Sequence, residues 1–314
     1  MSQGAWATCR ARPPRRPQGG HMKLGMIGLG RMGGRMAERL RRAGHEVATF
    51  DPSVDSTASS IADLASQLAS PRIFWLMVPS GKITESSFAE VLAAASPGDI
   101  VIDGGNSNFH DSQARAAVAA EQGVAFIDAG VSGGVWGLDN GYCLMVGGDA
   151  EAVEAVEPIF RDLAPADGYA HVGEAGAGHF AKMVHNGIEY GLMQAYAEGF
   201  EVLRKSEFDF DLQELAGIWR HGSVVRSWLL ELLHDAFAQE GSGLDRIRGY
   251  VEDSGEGRWT IAEAIAEDVP VPVISAALFA RFASRDDEAF AAKVNAALRA
   301  QFGGHAVASN DEQR

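Results

Sequence analysis

The stretch Lys23-Leu-Gly-Met-Ile27-Gly28-Leu29-Gly30-Arg31-Met32-Gly33 is a short apolar run that ends in a turn carrying three glycines. Met36, Leu40 and Ala43 follow at helical spacing, so the turn lies between a strand and a helix. That setting suits a dinucleotide. Gly28 permits the tight turn, Gly30 lets the backbone approach a pyrophosphate, and Gly33 lets the helix pack on the strand while the helix N-terminus attracts phosphate. The same glycine spacing outside a strand-turn-helix context would be weak evidence. Gly28, Leu29, Gly30, Arg31, Met32 and Gly33 are therefore read as the cofactor turn.

Outward from this turn, the strand pattern over 46–50 ends at Asp51, eighteen residues after Gly33. An acid at that place receives the ribose 2′-hydroxyl, so Asp51 favours NAD over NADP. Residues 52–55 offer no cation for a 2′-phosphate, which leaves Arg31 as the group that can reach one. Strand and helix patterns then alternate: strand 72–78, helix 84–95, strand 99–103, helix 107–122 and strand 124–128. This is the rhythm of a Rossmann-type, doubly wound parallel sheet. Three polar or glycine-rich loops follow its strands, 78–81, 103–107 and 130–137, and ligands of such sheets bind at that edge. Together they favour a site, with Val78 and Asn106 of the first two loops as candidate cofactor contacts.

From 176 onward the pattern is helical, over 178–205, 212–221, 226–237, 258–267, 271–284 and 286–302. The expected fold is α/β, with an all-α C-terminal domain. Its divisions are a disordered basic extension over 1–21, a dinucleotide-binding domain over 22–175, and a helical substrate and oligomerisation domain over 176–314.

Composition narrows the partners. A formal charge of −15 repels a polyanion, so nucleic acid is not expected, and any anionic substrate needs local positive charge. The longest wholly apolar run, Ile73 to Val78, is far short of the roughly 20 residues of a bilayer span. Two cysteines, Cys9 and Cys143, make neither a disulfide framework nor a zinc spacing, which suits a reducing cytoplasm. Arg10, Arg12, Arg15 and Arg16 stand among prolines in the extension without an acidic neighbour, and a start at Met22 would remove them. A transit peptide is the alternative reading of that segment.

Chemistry concentrates in Lys182, His185, Asn186, Glu189 and Tyr190, which recur at i, i+3, i+4, i+7 and i+8. On a helix these fall on one stripe, with Phe180, Met183, Val184, Ile188 and Leu192 expected on the packed side. A base and an acid on one rigid face suit proton transfer. The remaining histidines are scattered, and no metal site is expected.

Five separated blocks carry a resemblance: Asp103-Gly-Gly-Asn-Ser107, Val131-Ser-Gly-Gly134, Gly178-His-Phe-Ala-Lys-Met-Val-His-Asn-Gly-Ile-Glu-Tyr190, Ser254-Gly-Glu-Gly-Arg-Trp-Thr260 and Gln301-Phe-Gly-Gly-His305. Over 22–307 the chain resembles the short form of the decarboxylating 6-phosphogluconate dehydrogenases, within the β-hydroxyacid dehydrogenase superfamily. The resemblance implies NAD-linked conversion of the phosphorylated sugar acid to ribulose 5-phosphate and carbon dioxide in the pentose phosphate route. By it Lys182 is the general base and Glu189 the general acid. Asn106, Ser132, Gly133, Gly134, His185 and Asn186 hold the sugar acid, while Tyr190, Arg258, Arg281 and Arg299 hold its phosphate. His305 reaches a neighbouring subunit's site, implying a homodimer or homotetramer. Longer members carry Lys in place of Arg258. Two alternatives stay open: a dehydrogenase of hydroxyisobutyrate or a tartronate-type acid, which has little use for an arginine cluster, and a nucleotide-binding protein without turnover.

Overall fold

The computed structural model describes residues 20–303. His305 and nearly all of the predicted extension lie outside these residues. The described chain divides into two compact units, one ending at Lys182 and the other beginning at Met183.

In the first unit the strands are β1 (Lys23–Ile27), β2 (Glu46–Phe50), β3 (Ile73–Leu76), β4 (Ile100–Asp103), β5 (Ala125–Ser132), β6 (Cys143–Gly148) and β7 (Tyr169–Gly173). They form one sheet in the order β2-β1-β3-β4-β5-β6-β7. The helices of this unit are α1 (Gly33–Ala43), α2 (Ile61–Ser66), α3 (Lys82–Ala94), α4 (Phe109–Glu121), α5 (Gly137–Asn140) and α6 (Ala150–Leu163). Successive strand side chains point to opposite faces, and both faces are buried. Ile73 and Trp75 join Met26, Met36, Leu40 and Phe160 in one core layer, whereas Phe74 and Leu76 join Leu64, Phe88, Val91 and Phe126 in the other. This is the doubly wound arrangement expected from the sequence.

The strands depart from the sequence reading beyond residue 128, where β6 and β7 were not foreseen. β5 runs on to Ser132, so Gly130 and Ser132 belong to a strand rather than a loop, because Gly130 pairs with Met145 and Ser132 with Cys143. That pairing is antiparallel within an otherwise parallel sheet. The short link from β5 to β6, a 3-10 turn (Gly134–Trp136) and α5, leaves too little chain for a parallel crossover.

α7 (Ala177–Lys205) follows β7 and continues past the division at Lys182. The second unit adds α8 (Leu212–Trp219), α9 (Trp228–Glu240), α10 (Glu256–Ala266), α11 (Pro272–Ala283) and α12 (Phe290–Gly303). One small core joins Phe200 of α7 to Leu212, Ala216, Leu230 and Phe237, and a second joins Tyr190 to Ala277 and Leu278. The expected packed side of α7 is corrected here. Met183 and Tyr190 are buried, whereas Ile188 and Leu192 are 54% and 46% exposed, because α10 and α11 settle on the Gly187 and Tyr190 side. Among the described residues no helix is long and apolar enough to cross a membrane.

α7 starts against the sheet through a borrowed cap. Gly176 has no side chain to receive the free N–H groups of the first turn, and the Asp128 carboxylate of β5 does so instead. Its two oxygens accept from Gly176 N–H at 2.6 Å and His179 N–H at 2.7 Å. The approach is so close that a Cβ on Gly130 would lie 2.5 Å from Lys182 Cβ and 2.7 Å from the Gly178 carbonyl oxygen. Gly130→Ala is therefore expected to lower stability by about 1–3 kcal/mol, the usual cost of overpacking. Chemical denaturation measures it, and a loss too small to detect would mean that α7 shifts freely on β5.

Candidate functional site

In the glycine turn, Gly28 has φ +92°, and a Cβ there would sit 2.4 Å from the Met77 carbonyl oxygen. A Cβ on Gly33 would meet the Gly28 carbonyl oxygen at 2.0 Å. Internal packing thus explains the first and third glycines. It does not explain Gly30, whose Cβ would meet nothing within 4 Å. Space kept clear beside the start of α1, which has no side-chain cap, fits a pyrophosphate. Asp51 stands against this turn, accepting Leu29 N–H at 2.7 Å and Ser53 N–H at 2.8 Å. Its carboxylate retains lone pairs for a ribose hydroxyl. Arg31 is exposed in the turn and Met32 is half-buried, while Val78 packs beside Gly28.

The loop bearing Asn106 is held from behind by a buried acid. Asp103 accepts Gly105 N–H at 3.0 Å, Ser107 Oγ at 2.7 Å and Arg115 Nη1 at 2.9 Å, and neither Asp103 nor Arg115 is more than 3% exposed. Arg115 also reaches Glu85 at 2.5 Å, so the buried charge is paired and hydrogen-bonded. Asn106 itself is half-buried. At the end of β5, Ser132 is half-buried and the next residues, Gly133 and Gly134, have φ +129° and +55°. Backbone of this kind is open to few residues other than glycine. Lys182, at the close of this unit, is half-buried. One turn earlier His179 is buried, with Nδ1 2.7 Å from Ser112 Oγ. The Asn106 loop and the start of α7 are thus both anchored to α4.

In the helical unit His185 and Glu189 are partly exposed, with His185 Nδ1 3.0 Å from Asn186 Oδ1 and 3.9 Å from Glu189 Oε2. Asn186 Nδ2 donates to Glu256 Oε1 at 2.6 Å. Tyr190 is 3% exposed; its hydroxyl accepts Ser254 N–H at 3.0 Å, and the Arg281 guanidinium lies 3.5 Å from its ring centre. Arg258 and Arg285 share the Asp253 carboxylate, Arg258 Nε at 2.7 Å and Arg285 Nη2 at 2.6 Å. The Arg258 hydrogen bond, followed by that of Arg285, holds the Asp253 carboxyl well below the usual carboxylate range.

His185, Asn186, Tyr190, Arg258 and Arg281 therefore fall within connected clusters of this unit. Arg299 is exposed on α12, and His305 lies outside the described residues. Sequence reasoning missed Arg285, Asp253 and Glu256. Asp253 directly precedes the block Ser254–Thr260 already singled out and Glu256 lies within it; the short separation of Asp253 from Arg258 was the available signal, and it concerned Asp253 alone.

Comparison with known proteins bears on both units. The model for the NAD binding domain of 6-phosphogluconate dehydrogenase matches residues 23–173, and the model for the C-terminal domain of that enzyme matches 178–313. An NAD(+)-dependent, decarboxylating 6-phosphogluconate dehydrogenase of Haloferax volcanii is 43% identical over 302 residues, covering 93% of this chain and all of the relative. The solved 6-phosphogluconate dehydrogenase of Plasmodium falciparum is 26% identical with a TM-score of 0.77, covering 92% of this chain and 67% of that one. A Mycobacterium tuberculosis 3-hydroxyisobutyrate dehydrogenase is 25% identical with a TM-score of 0.68, covering 84% and 94%.

The Asp253 bridge generates a pH prediction. A carboxylate whose pKa is lowered on folding stabilises the protein above the unfolded value, about 3.9, and the contribution fades as pH falls toward the folded value. Asp253→Asn is expected to lower the thermal midpoint at neutral pH and to flatten its decline below about pH 4. Parallel melts of the two proteins across acid pH test this; identical slopes would show that the bridge is not coupled to folding.

Proposed function

This chain belongs to the 6-phosphogluconate dehydrogenase family, and from that premise we propose how its residues carry the NAD-dependent oxidative decarboxylation of 6-phosphogluconate. The observation that supports the assignment of roles best is the unbroken run of α7, which holds Lys182, His185, Asn186 and Glu189 in fixed helical register. Residues 22–175 serve the cofactor, and 176–314 serve the substrate and a second copy of the chain.

Bound NAD supplies the hydride acceptor for C3 of the sugar acid, and Asp51 favours it by receiving the ribose 2′-hydroxyl. Lys182, as a neutral amine, takes the proton of the 3-hydroxyl as the hydride departs. The product is a β-keto acid. Protonated Lys182 then donates to the 3-keto oxygen, so that the electron pair freed when the carboxylate leaves as carbon dioxide is held in an enediol. Glu189 delivers a proton to the carbon that lost the carboxylate while Lys182 takes back the proton of the 3-hydroxyl, which restores the ketone and completes ribulose 5-phosphate. Asn106, Ser132, Gly133, Gly134, His185 and Asn186 hold the hydroxyls and carboxylate of the sugar acid. Tyr190, Arg258, Arg281 and Arg299 hold its phosphate, with Arg285 added through the shared Asp253. A cation cluster of this kind has no counterpart in the needs of an unphosphorylated hydroxyisobutyrate-type acid.

The reaction belongs to the pentose phosphate route and to a cytoplasmic setting, in keeping with the free thiol of Cys143. A second copy accounts for the apolar residues left exposed on the helical unit, among them Ile188, Leu192, Val273 and Phe279. His305 completes a neighbouring copy's site.

Purified protein given 6-phosphogluconate and NAD should form NADH and carbon dioxide in equal amounts, with less turnover on NADP. Turnover confined to hydroxyisobutyrate would move the chain to the other branch of the superfamily. Lys182→Met should reduce oxidation by about 10³-fold or more and Glu189→Gln by roughly 10²-fold, with NAD affinity kept in both. Substantial turnover by the Met variant would remove Lys182 as the base. Light scattering should give a mass of two or four times 33.4 kDa, and a monomeric mass would exclude a shared site.

A further inference from the structure

Glu256 is a buried acid to which the mechanism gives no role. It is 2% exposed, at the first position of α10, where the helix N-terminus favours a negative charge. Thr260 on the next turn donates to the Met183 carbonyl at 2.9 Å, which locks α10 onto α7. One oxygen of Glu256 accepts Asn186 Nδ2 at 2.6 Å and the other accepts the Ser254 hydroxyl.

A carboxylate only accepts hydrogen bonds, whereas an amide has one donating end and one accepting end. The amine end of Asn186 must therefore face Glu256, and its carbonyl end is turned to His185 Nδ1, 3.0 Å away. Glu189 also faces that nitrogen, with Oε2 3.9 Å distant, and it too only accepts. With acceptors on that side, the ring proton belongs on Nδ1. We propose that Glu256, acting through Asn186, is a positioning residue that holds neutral His185 as the Nδ1–H tautomer and leaves Nε2 as a hydrogen-bond acceptor. The consequence is a preference for a substrate group that donates, a hydroxyl of the sugar acid, over a carbonyl at the same place. That consequence rests on His185 as a substrate-binding residue; the tautomer itself does not.

The test is the ring ¹⁵N spectrum of the full chain at alkaline pH, with His185 assigned by comparison with His185→Gln. The wild-type ring should be Nδ1–H, the form that free histidine disfavours. Glu256→Gln, which can offer an amine where the acid only accepted, should shift His185 toward Nε2–H. It should also lower kcat/KM for 6-phosphogluconate roughly tenfold or more while KM for NAD stays within about twofold. Ser254→Ala should leave the tautomer unchanged, because the Asn186 contact remains. An Nε2–H ring in the wild type, or the same tautomer in a folded Glu256→Gln variant, would overturn the proposal. The wild-type spectrum decides this even if the Gln variant does not fold. It also needs no turnover, so a chain inactive on 6-phosphogluconate would defeat the functional reading without deciding this one.

Discussion

The Asp128 carboxylate is the constraint on which the placement of Lys182 depends. It lies with no exposed surface in the middle of β5, and it caps a helix that has no cap of its own. A bidentate acceptor fixes both position and direction, because the first N–H groups of a helix point along its axis. The dipole of α7 adds to the attraction, since its N-terminal end is the positive one. With the start of α7 fixed against a glycine of the same strand, Lys182 follows at a set rotation of the helix.

The same physical device recurs at Asp103 and Glu256. Each is a buried acid that accepts from more than one donor, and each lies behind a residue assigned to ligand binding: Asp103 behind Asn106, Glu256 behind Asn186. Burial of a charge is costly unless hydrogen bonds replace the lost water, so these acids hold their partners in one arrangement. Asp103 meets that cost with Arg115, and Asp128 with backbone N–H groups. The result is a set of polar side chains whose orientation is decided before any ligand arrives, which reduces the ordering that binding would otherwise require.

The arginines of the helical unit follow a different rule. Arg258 and Arg285 are drawn together by Asp253, and Arg281 is held over the Tyr190 ring and bonded to the Glu252 carbonyl. Cations that would otherwise repel one another are gathered by an acid, a backbone carbonyl and a ring face. A chain whose net charge is −15 needs such local concentration to attract an anionic substrate.

The sequence by itself determined what depends on neighbours along the chain. The turn Gly28–Gly33, the place of Asp51 at the end of the second strand, the alternation of strands and helices and the helical spacing from Lys182 to Tyr190 were all legible, because the strand period of 2 and the helix period of 3.6 are local properties. Only the tertiary structure decided which face of that helix was packed: Ile188 and Leu192 were read as buried, and the way α10 and α11 meet α7 left them exposed. It also decided that Gly130 and Ser132 lie in a strand, since an antiparallel partner more than ten residues away supplies the hydrogen bonds. Asp128, Arg285 and Glu256 gave no local signal at all. An isolated acid or arginine reads the same whether it faces water or holds a helix, and the difference lies in partners 48, 32 and 70 residues away along the chain.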